Sequence, residues 1–306
     1  MTARSRYEAN VFAQPELVRA ALSAPAPAWM KPPKAGRKVF FVGVGTNHHA
    51  ARIAAWLWSR AGIDARAAHS HDFVARPYRL SRGDLAVFLS HRGSKSYTVQ
   101  AEKAARRAGA ETVVVTCAGS PWKAPRRLVT GPLEDTGAFT QSFTTTMAWL
   151  LRWPCHAALV APFRKIEQSL RWGPKFPAVR RDTDLVLLGD GLREWVAAEV
   201  ALKIQEAAYL RARSFGLEEF LHGPRLSVGK GSLVVGFSSR KEPRWRSARR
   251  YLKAIGVPFA EVPSEDWLAQ VLWGQRFALD ACRRLGIDPD AIRADDPRYA
   301  RALKAG

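Results

Sequence analysis

Residues 38–47 read KVFFVGVGTN, and residues 184–193 read DLVLLGDGLR. Each is a short run of β-branched and large apolar residues that ends in Gly-x-Gly, and each is followed by a stretch whose apolar residues recur at helical spacing. That is a buried strand, a tight turn and a helix. Two more runs of the same kind, Leu85 to Leu89 (LAVFL) and Glu111 to Cys117 (ETVVVTC), flank a polar loop at 90–98 and a helix expected over 99–108. Strands alternating with helices predict an α/β fold built on a doubly wound parallel sheet.

The pattern occurs twice. Gly43 and Gly189 are 146 residues apart and Gly83 and Gly231 are 148 apart, while RGDLAVFLSHRG (82–93) lies over KGSLVVGFSSRK (230–241) with matching apolar positions. A period of that length means two tandem domains rather than a solenoid. Between them, 138–151 reads as a helix broken by Trp153-Pro154, and 172–177 reads as a Gly/Pro connector that puts the boundary near residue 178.

The length of 306 residues suffices for two ordinary cores, and no run approaches the roughly 18 apolar residues of a membrane span. No apolar run follows the charged first residues either, so an unexported, cytoplasmic protein without membrane association is expected. Cys117, Cys155 and Cys282 are odd in number and widely separated, which argues against a disulfide framework and against a zinc site. The formal net charge of +21 favours anionic partners. Specific nucleic-acid recognition is not expected, because the basic runs at 79–82 and 240–250 are interrupted and no nucleic-acid-binding motif is present.

Three stretches carry chemistry. Gly45, Thr46 and Asn47 stand where a helix starts, so exposed amides can receive an anion or a sugar hydroxyl, but His48 stands where a dinucleotide fingerprint needs its third glycine. No nucleotide or other cofactor is expected. SHRGSKSYT (90–98) offers hydroxyls from Ser90, Ser94 and Thr98 and cations from Arg92 and Lys95, a set suited to a phosphate dianion or, equally, to a solvated helix start. Glu199, Lys203 and Glu206 follow at steps of four and three and share a helix face. Spacing alone suits a surface ion-pair ladder; a carboxylate able to shuttle a proton, with His222 as an acid, suits catalysis. His48, His49, His69, His71 and His91 have no ligand spacing, and no metal is expected.

On these residues the chain resembles the sugar isomerase (SIS) domain family, and most of all the isomerase half of the glutamine-dependent hexosamine-phosphate synthases. GTNHHAA (45–51) is similar to the family's G-T-S-x-x-A, SHRGSKSYT to its S-x-S-G-x-T-x-D-T, SFTTTMAWLL (142–151) to its A-F-T-T-Q helix, and YEANVFAQPELV (7–18) to its E-I-x-E-Q-P helix. EVALKIQEAAYLRARSFGLEEFLHGP (199–224) resembles E-G-A-L-K-L-K-E-x-x-Y through to E-L-K-H-G-P and is the most specific match. The resemblance implies two flavodoxin-like SIS domains, over 31–178 and 179–285, after a helical segment at 1–30 and before a tail at 286–306. It implies that Gly45, Thr46, Asn47, Ser90, Arg92, Ser94, Lys95 and Thr98 surround a sugar phosphate, with Glu199 and Lys203 beside Glu206. Glu206 then moves a proton between sugar carbons 1 and 2, His222 opens the ring in the site of a neighbouring copy of a homodimer, and Lys304 is the counterpart of a tail lysine. Phosphosugar isomerisation, or isomerisation with deamination of an amino-sugar phosphate, is the activity implied, and a non-catalytic phosphosugar sensor is the alternative. Arg92 and Lys95 replace a serine and a threonine of the family loop, and EDTGAFTQ (134–141) follows the family's E-x-G-V-A-S-T-K only loosely. Residue 2 is threonine rather than the cysteine of a glutaminase domain, so glutamine-dependent amide transfer is not expected of this chain alone.

Overall fold

The computed structural model describes residues 4–305 apart from Pro77, Cys155, Pro174, Arg240, Ala294 and Asp295. The sequence expectations for Cys155 and Arg240 therefore lie outside the described residues. The chain forms two compact units. One comprises Ala13–Glu134 and Gln141–Glu167; the other comprises the described residues of Met1–Phe12, Asp135–Thr140 and Gln168–Gly306.

In chain order, α1 (Arg6–Ser23) precedes β1 (Val39–Gly43), α2 (Thr46–Arg60), β2 (Ala65–His69), α3 (Ser70–Ala75), β3 (Leu85–Leu89), α4 (Ser96–Arg107), β4 (Glu111–Thr116), β5 (Arg127–Val129) and α5 (Gln141–Arg152). Short helices α6 (Ala157–Val160) and α7 (Ile166–Arg171) follow. Next come β6 (Asp184–Gly189), α8 (Arg193–Ala208), β7 (Ala212–Gly216), α9 (Leu217–His222), β8 (Ser232–Phe237), α10 (Trp245–Ala254), β9 (Phe259–Glu261), α11 (Trp267–Leu285) and α12 (Pro297–Ala305).

The first unit holds a five-stranded sheet of order β2-β1-β3-β4-β5, and all its pairings are parallel. β1 and β3 are buried along their whole length, as expected of strands covered on both faces. On one face Phe40, Val42 and Phe88 pack with Phe73 of α3 and with Ala101 and Ala105 of α4. On the other, Phe41 meets Trp58 of α2 edge-on at 5.0 Å, and the Trp58 indole N–H donates to the Leu150 carbonyl of α5 at 3.0 Å. Tryptophan serves the core here, and each such side chain taken out of water stabilises the fold by about 2–3 kcal/mol.

The second unit holds a four-stranded parallel sheet of order β7-β6-β8-β9. Val186, Leu188 and Val234 pack with Phe220 of α9 and with Trp245 and Leu252 of α10. The other face carries α8, which packs against α11. That crossing is tight, because a Cβ on Gly274 would stand 2.1 Å from Cγ2 of Val200.

The Gly-x-Gly turns of the two units share one geometry. Gly45 and Gly191 both take φ +56°, a conformation glycine adopts without steric cost. A Cβ on Gly43 would stand 2.7 Å from the Asn47 carbonyl carbon, and one on Gly189 would stand 2.0 Å from the Arg193 carbonyl oxygen. Both strands therefore need glycine as their last residue so that the helix start can lie against them.

Candidate active site

In the first unit the expected anion-binding residues lie at the carboxyl edge of the sheet, where a doubly wound fold binds its ligands. Gly45, Thr46 and Asn47 form the turn and first residues of α2, with the His48 and His49 amides donating to the Gly45 carbonyl at 2.8 and 3.0 Å. The 90–98 loop follows β3. Its underside is fixed: the Ser90 amide donates to the Val115 carbonyl, and the His91 carbonyl accepts from Thr116 Oγ1 and the Cys117 amide, both at 2.9 Å. Gly93, at φ +68°, turns the chain where any Cβ would stand 2.0 Å from Ser120 Oγ.

The loop's side chains divide into two sets. Arg92, Ser94 and Lys95 are exposed, whereas Ser90 and Thr98 are buried. Thr98 Oγ1 shares a 2.9 Å hydrogen bond with Ser70 Oγ, so this hydroxyl has a protein partner inside the fold. His91 accepts the Glu134 amide proton on Nε2 at 2.8 Å, and burial, followed by the Arg92 charge, lowers its pKa to about 4. It is a neutral anchor of the loop. The Glu134 carboxylate in turn accepts from the Ser142 amide at 2.6 Å and so caps α5. His48 packs edge-on against His69 with 5.3 Å between ring centroids, and its pKa is also lowered to about 4, first by burial and then by the Arg52 charge. Among the described residues no group of His, Cys, Asp and Glu has metal-binding geometry.

In the second unit Glu199 and Lys203 are not on the surface. They are 0% and 1% exposed, which removes the reading of their helix face as a solvated ion-pair ladder. Lys203 Nζ lies 3.7 Å from Glu199 Oε1 and 2.5 Å from Glu206 Oε2, so one buried ammonium bridges two carboxylates along α8. Glu206 is 32% exposed and opens into a cleft of about 390 Å³. The cleft is also lined by Gly137, Tyr209, Ile292, Arg293 and Tyr299.

Tyr209 ends α8 at φ +53°. Its hydroxyl accepts from the Arg293 amide at 2.8 Å, and the Arg293 guanidinium carbon stands 4.6 Å from the Tyr209 ring centroid and 4.5 Å from that of Tyr299. Arg293 Nη1 also donates to the Tyr299 hydroxyl. The tail is thereby tied beside Glu206 by one cation between two aromatic faces. His222 ends α9 and is exposed; it is not among the residues lining the Glu206 cleft, and neither is Lys304, which is exposed on α12. A second cleft of about 380 Å³, at the Gly189–Gly191 turn, is lined by Asp190, Glu194, Glu218, Glu219 and Glu242 with Arg244. The Gly-x-Gly turn of the second unit thus faces carboxylates.

Sequence reading missed Ser70, His91 as the loop anchor, and the Tyr209–Arg293–Tyr299 group. Glu134 had a signal in its loose family match, whereas nothing local marks Arg293, which lies 84 residues from Tyr209.

Residues 34–151 match the family described as SIS domain. The glutamine–fructose-6-phosphate aminotransferase (isomerizing) of Pyrobaculum aerophilum is 28% identical over 254 residues, which cover 74% of this chain and 42% of that protein. The chain spans less than half the length of that relative and about half that of another from Sulfurisphaera tokodaii. Among solved structures, glucosamine-6-phosphate deaminase from Thermotoga maritima superposes with a TM-score of 0.75 at 19% identity, covering 94% of this chain and 97% of the other. Tagatose-6-phosphate ketose/aldose isomerase from Escherichia coli gives 0.70 at 21% identity, with coverages of 94% and 95%. At these identities the superpositions show a shared fold. Among the described residues no helix is long and apolar enough to cross a membrane.

Proposed function

We propose that this chain, a member of the SIS domain family through its residues 34–151, is a cytoplasmic phosphosugar aldose/ketose isomerase or an isomerase/deaminase of an amino-sugar phosphate. The observation that carries the proposal is the Glu206 carboxylate, open to a cleft and held on its inner side by a buried lysine that is itself braced by Glu199. Isomerisation needs a base that takes a proton from the carbon next to a carbonyl or imine and returns it to the neighbouring carbon. A carboxylate fixed in one rotamer by Lys203, with a face left open, can do both without losing its position. On this reading Gly45, Thr46, Asn47, Ser90, Arg92, Ser94, Lys95 and Thr98 receive the phosphoryl group. The exposed Arg92 and Lys95 supply charge, and Ser90 and Thr98 act mainly through the loop's shape.

The second sheet, whose β7-β6-β8 order parallels β2-β1-β3 of the first and which has a Gly-x-Gly turn of the same geometry, is on this reading a second copy of the domain. His222, exposed and outside the Glu206 cleft, would open the ring in the site of a second copy of the chain in a homodimer, and Lys304 would reach substrate from the tail.

The test is NMR turnover of fructose 6-phosphate and glucosamine 6-phosphate by the wild type and by Glu206→Gln, with binding followed by thermal shift. Loss of about 10²–10⁴-fold in turnover with binding retained is expected. Undiminished turnover in the variant refutes the role of Glu206, and wild-type binding without conversion makes the protein a phosphosugar sensor.

A further inference from the structure

Residues 243–250 look broken up along the chain, since each cation is separated from the next by other residues or sits beside one that is already paired. Winding into α10 sorts them. Trp245, Ala248 and Leu252 go to the core. Arg244 makes a bidentate pair with Glu218, at 2.6 and 2.9 Å, and Arg249 makes one with Glu261. Arg246, Arg250 and Lys253 remain on the exposed face, at spacings of four and three, and among the described residues none of them has an ion-pair or side-chain hydrogen-bond partner. No carboxylate occurs anywhere on the helix. Beside these cations is an open cleft of about 550 Å³ lined by Pro243, Arg244, Arg246, Ser247, Arg249 and Arg250.

We infer that this face of α10 is a docking surface for the phosphate backbone of nucleic acid, bound without regard to sequence. Arg246 and Lys253 stand about 10 Å apart along the helix axis. Over that length a duplex presents about six phosphate charges. Two guanidinium groups one helical turn apart match such a row, because each can hold a phosphate through two N–H donors while the Ser247 hydroxyl supplies a further donor. The paired Arg244 and Arg249 fix the walls of the cleft and leave the unpaired cations for the ligand. The net charge of +21 draws a polyanion toward the protein from a distance, and α10 gives it a place to rest. A row of regularly spaced phosphates is favoured over an acidic protein surface because the unpaired cations recur at 246, 250 and 253 along one exposed face of a helix that carries no carboxylate.

The test uses the full chain and a fluorescein-labelled 20-base-pair DNA of mixed sequence, read by anisotropy at a series of salt concentrations. The wild type should bind with affinity that falls as salt rises, by about 0.9 logarithmic units per tenfold salt for each phosphate neutralised. Arg246→Glu with Arg250→Glu should weaken binding about tenfold or more at 50 mM salt and flatten that slope by about two contacts. The control reverses the same amount of charge elsewhere, with Lys103→Glu and Arg107→Glu on the exposed side of α4. Circular dichroism melts establish that both variants fold; if the α10 pair does not, Arg246→Gln with Arg250→Gln replaces it. Equal weakening by the two reversals, no measurable wild-type binding, or displacement of the DNA by polyglutamate at matched charge would each overturn the inference.

Discussion

Replacing Lys203 by methionine tests whether the buried triad of α8 is held by charge. The side chain keeps its length and loses its ammonium, leaving Glu199, at 0% exposure, without the cation that stood 3.7 Å away. At an effective dielectric constant near 20, that single attraction amounts to about 4 kcal/mol. Loss of one member of a buried pair costs about 3–5 kcal/mol, most of it the penalty of a carboxylate left in the interior. Removing both partners, as Glu199→Leu with Lys203→Met, should recover most of the loss, since two apolar side chains of similar volume need no countercharge. Urea unfolding at pH 7, followed by tryptophan fluorescence, gives both numbers from the shift in midpoint at constant slope. A loss under about 1 kcal/mol for Lys203→Met, or a double variant as unstable as the single one, would refute a charge-held triad.

His91 and the tail offer two further tests. His91 is neutral in the fold with a pKa of about 4, below its ordinary 6.5, so the unfolded chain binds the proton first. Its contribution is therefore intact above about pH 6.5 and is lost as pH falls toward 4, by about 3 kcal/mol. His91→Gln, whose amide oxygen can still accept the Glu134 N–H, should flatten the pH dependence of urea stability between 7 and 4. Only part of the slope should go, because His48 is shifted the same way; an unchanged slope would sink the assignment. Arg293→Ala removes a cation from between two rings, worth about 1–2 kcal/mol in all, so amides of 298–305 should exchange hydrogen about five- to thirtyfold faster. Equal exchange in the two proteins would mean that α12 is held by other contacts.

The parts of the fold that show in the sequence are those in which local pattern and final environment agree. β1, β3, β4, β6 and β8 are apolar runs because they are central, and the glycines at 43, 45, 189 and 191 mark turns no other residue makes without strain. The outer strands do not announce themselves: β2 reads ARAAH and β7 reads ARSFG, because an edge strand is half-exposed and can use Arg213 to pair with Asp184. Spacing put Glu199, Lys203 and Glu206 on one face, but burial is not written in spacing, and it took α11 packed over α8 to show Glu199 and Lys203 as interior charges with Glu206 half-open beside them. The cleft beside Glu206 depends on a tail some 80 residues further along the chain, a contact that no local pattern encodes.

The crossing of α8 and α11 also limits how the chain can drift over generations. With Gly274 facing Val200 at a separation that leaves no room for even one methyl, neither position is free to change alone toward a larger residue. A gain of bulk at 274 must be preceded by a loss at 200, and because α8 carries Glu199, Lys203 and Glu206, any other remedy moves those three together. Two residues with no chemistry of their own thus act as gatekeepers, and the alignment of the carboxylates is inherited through a glycine on a different helix.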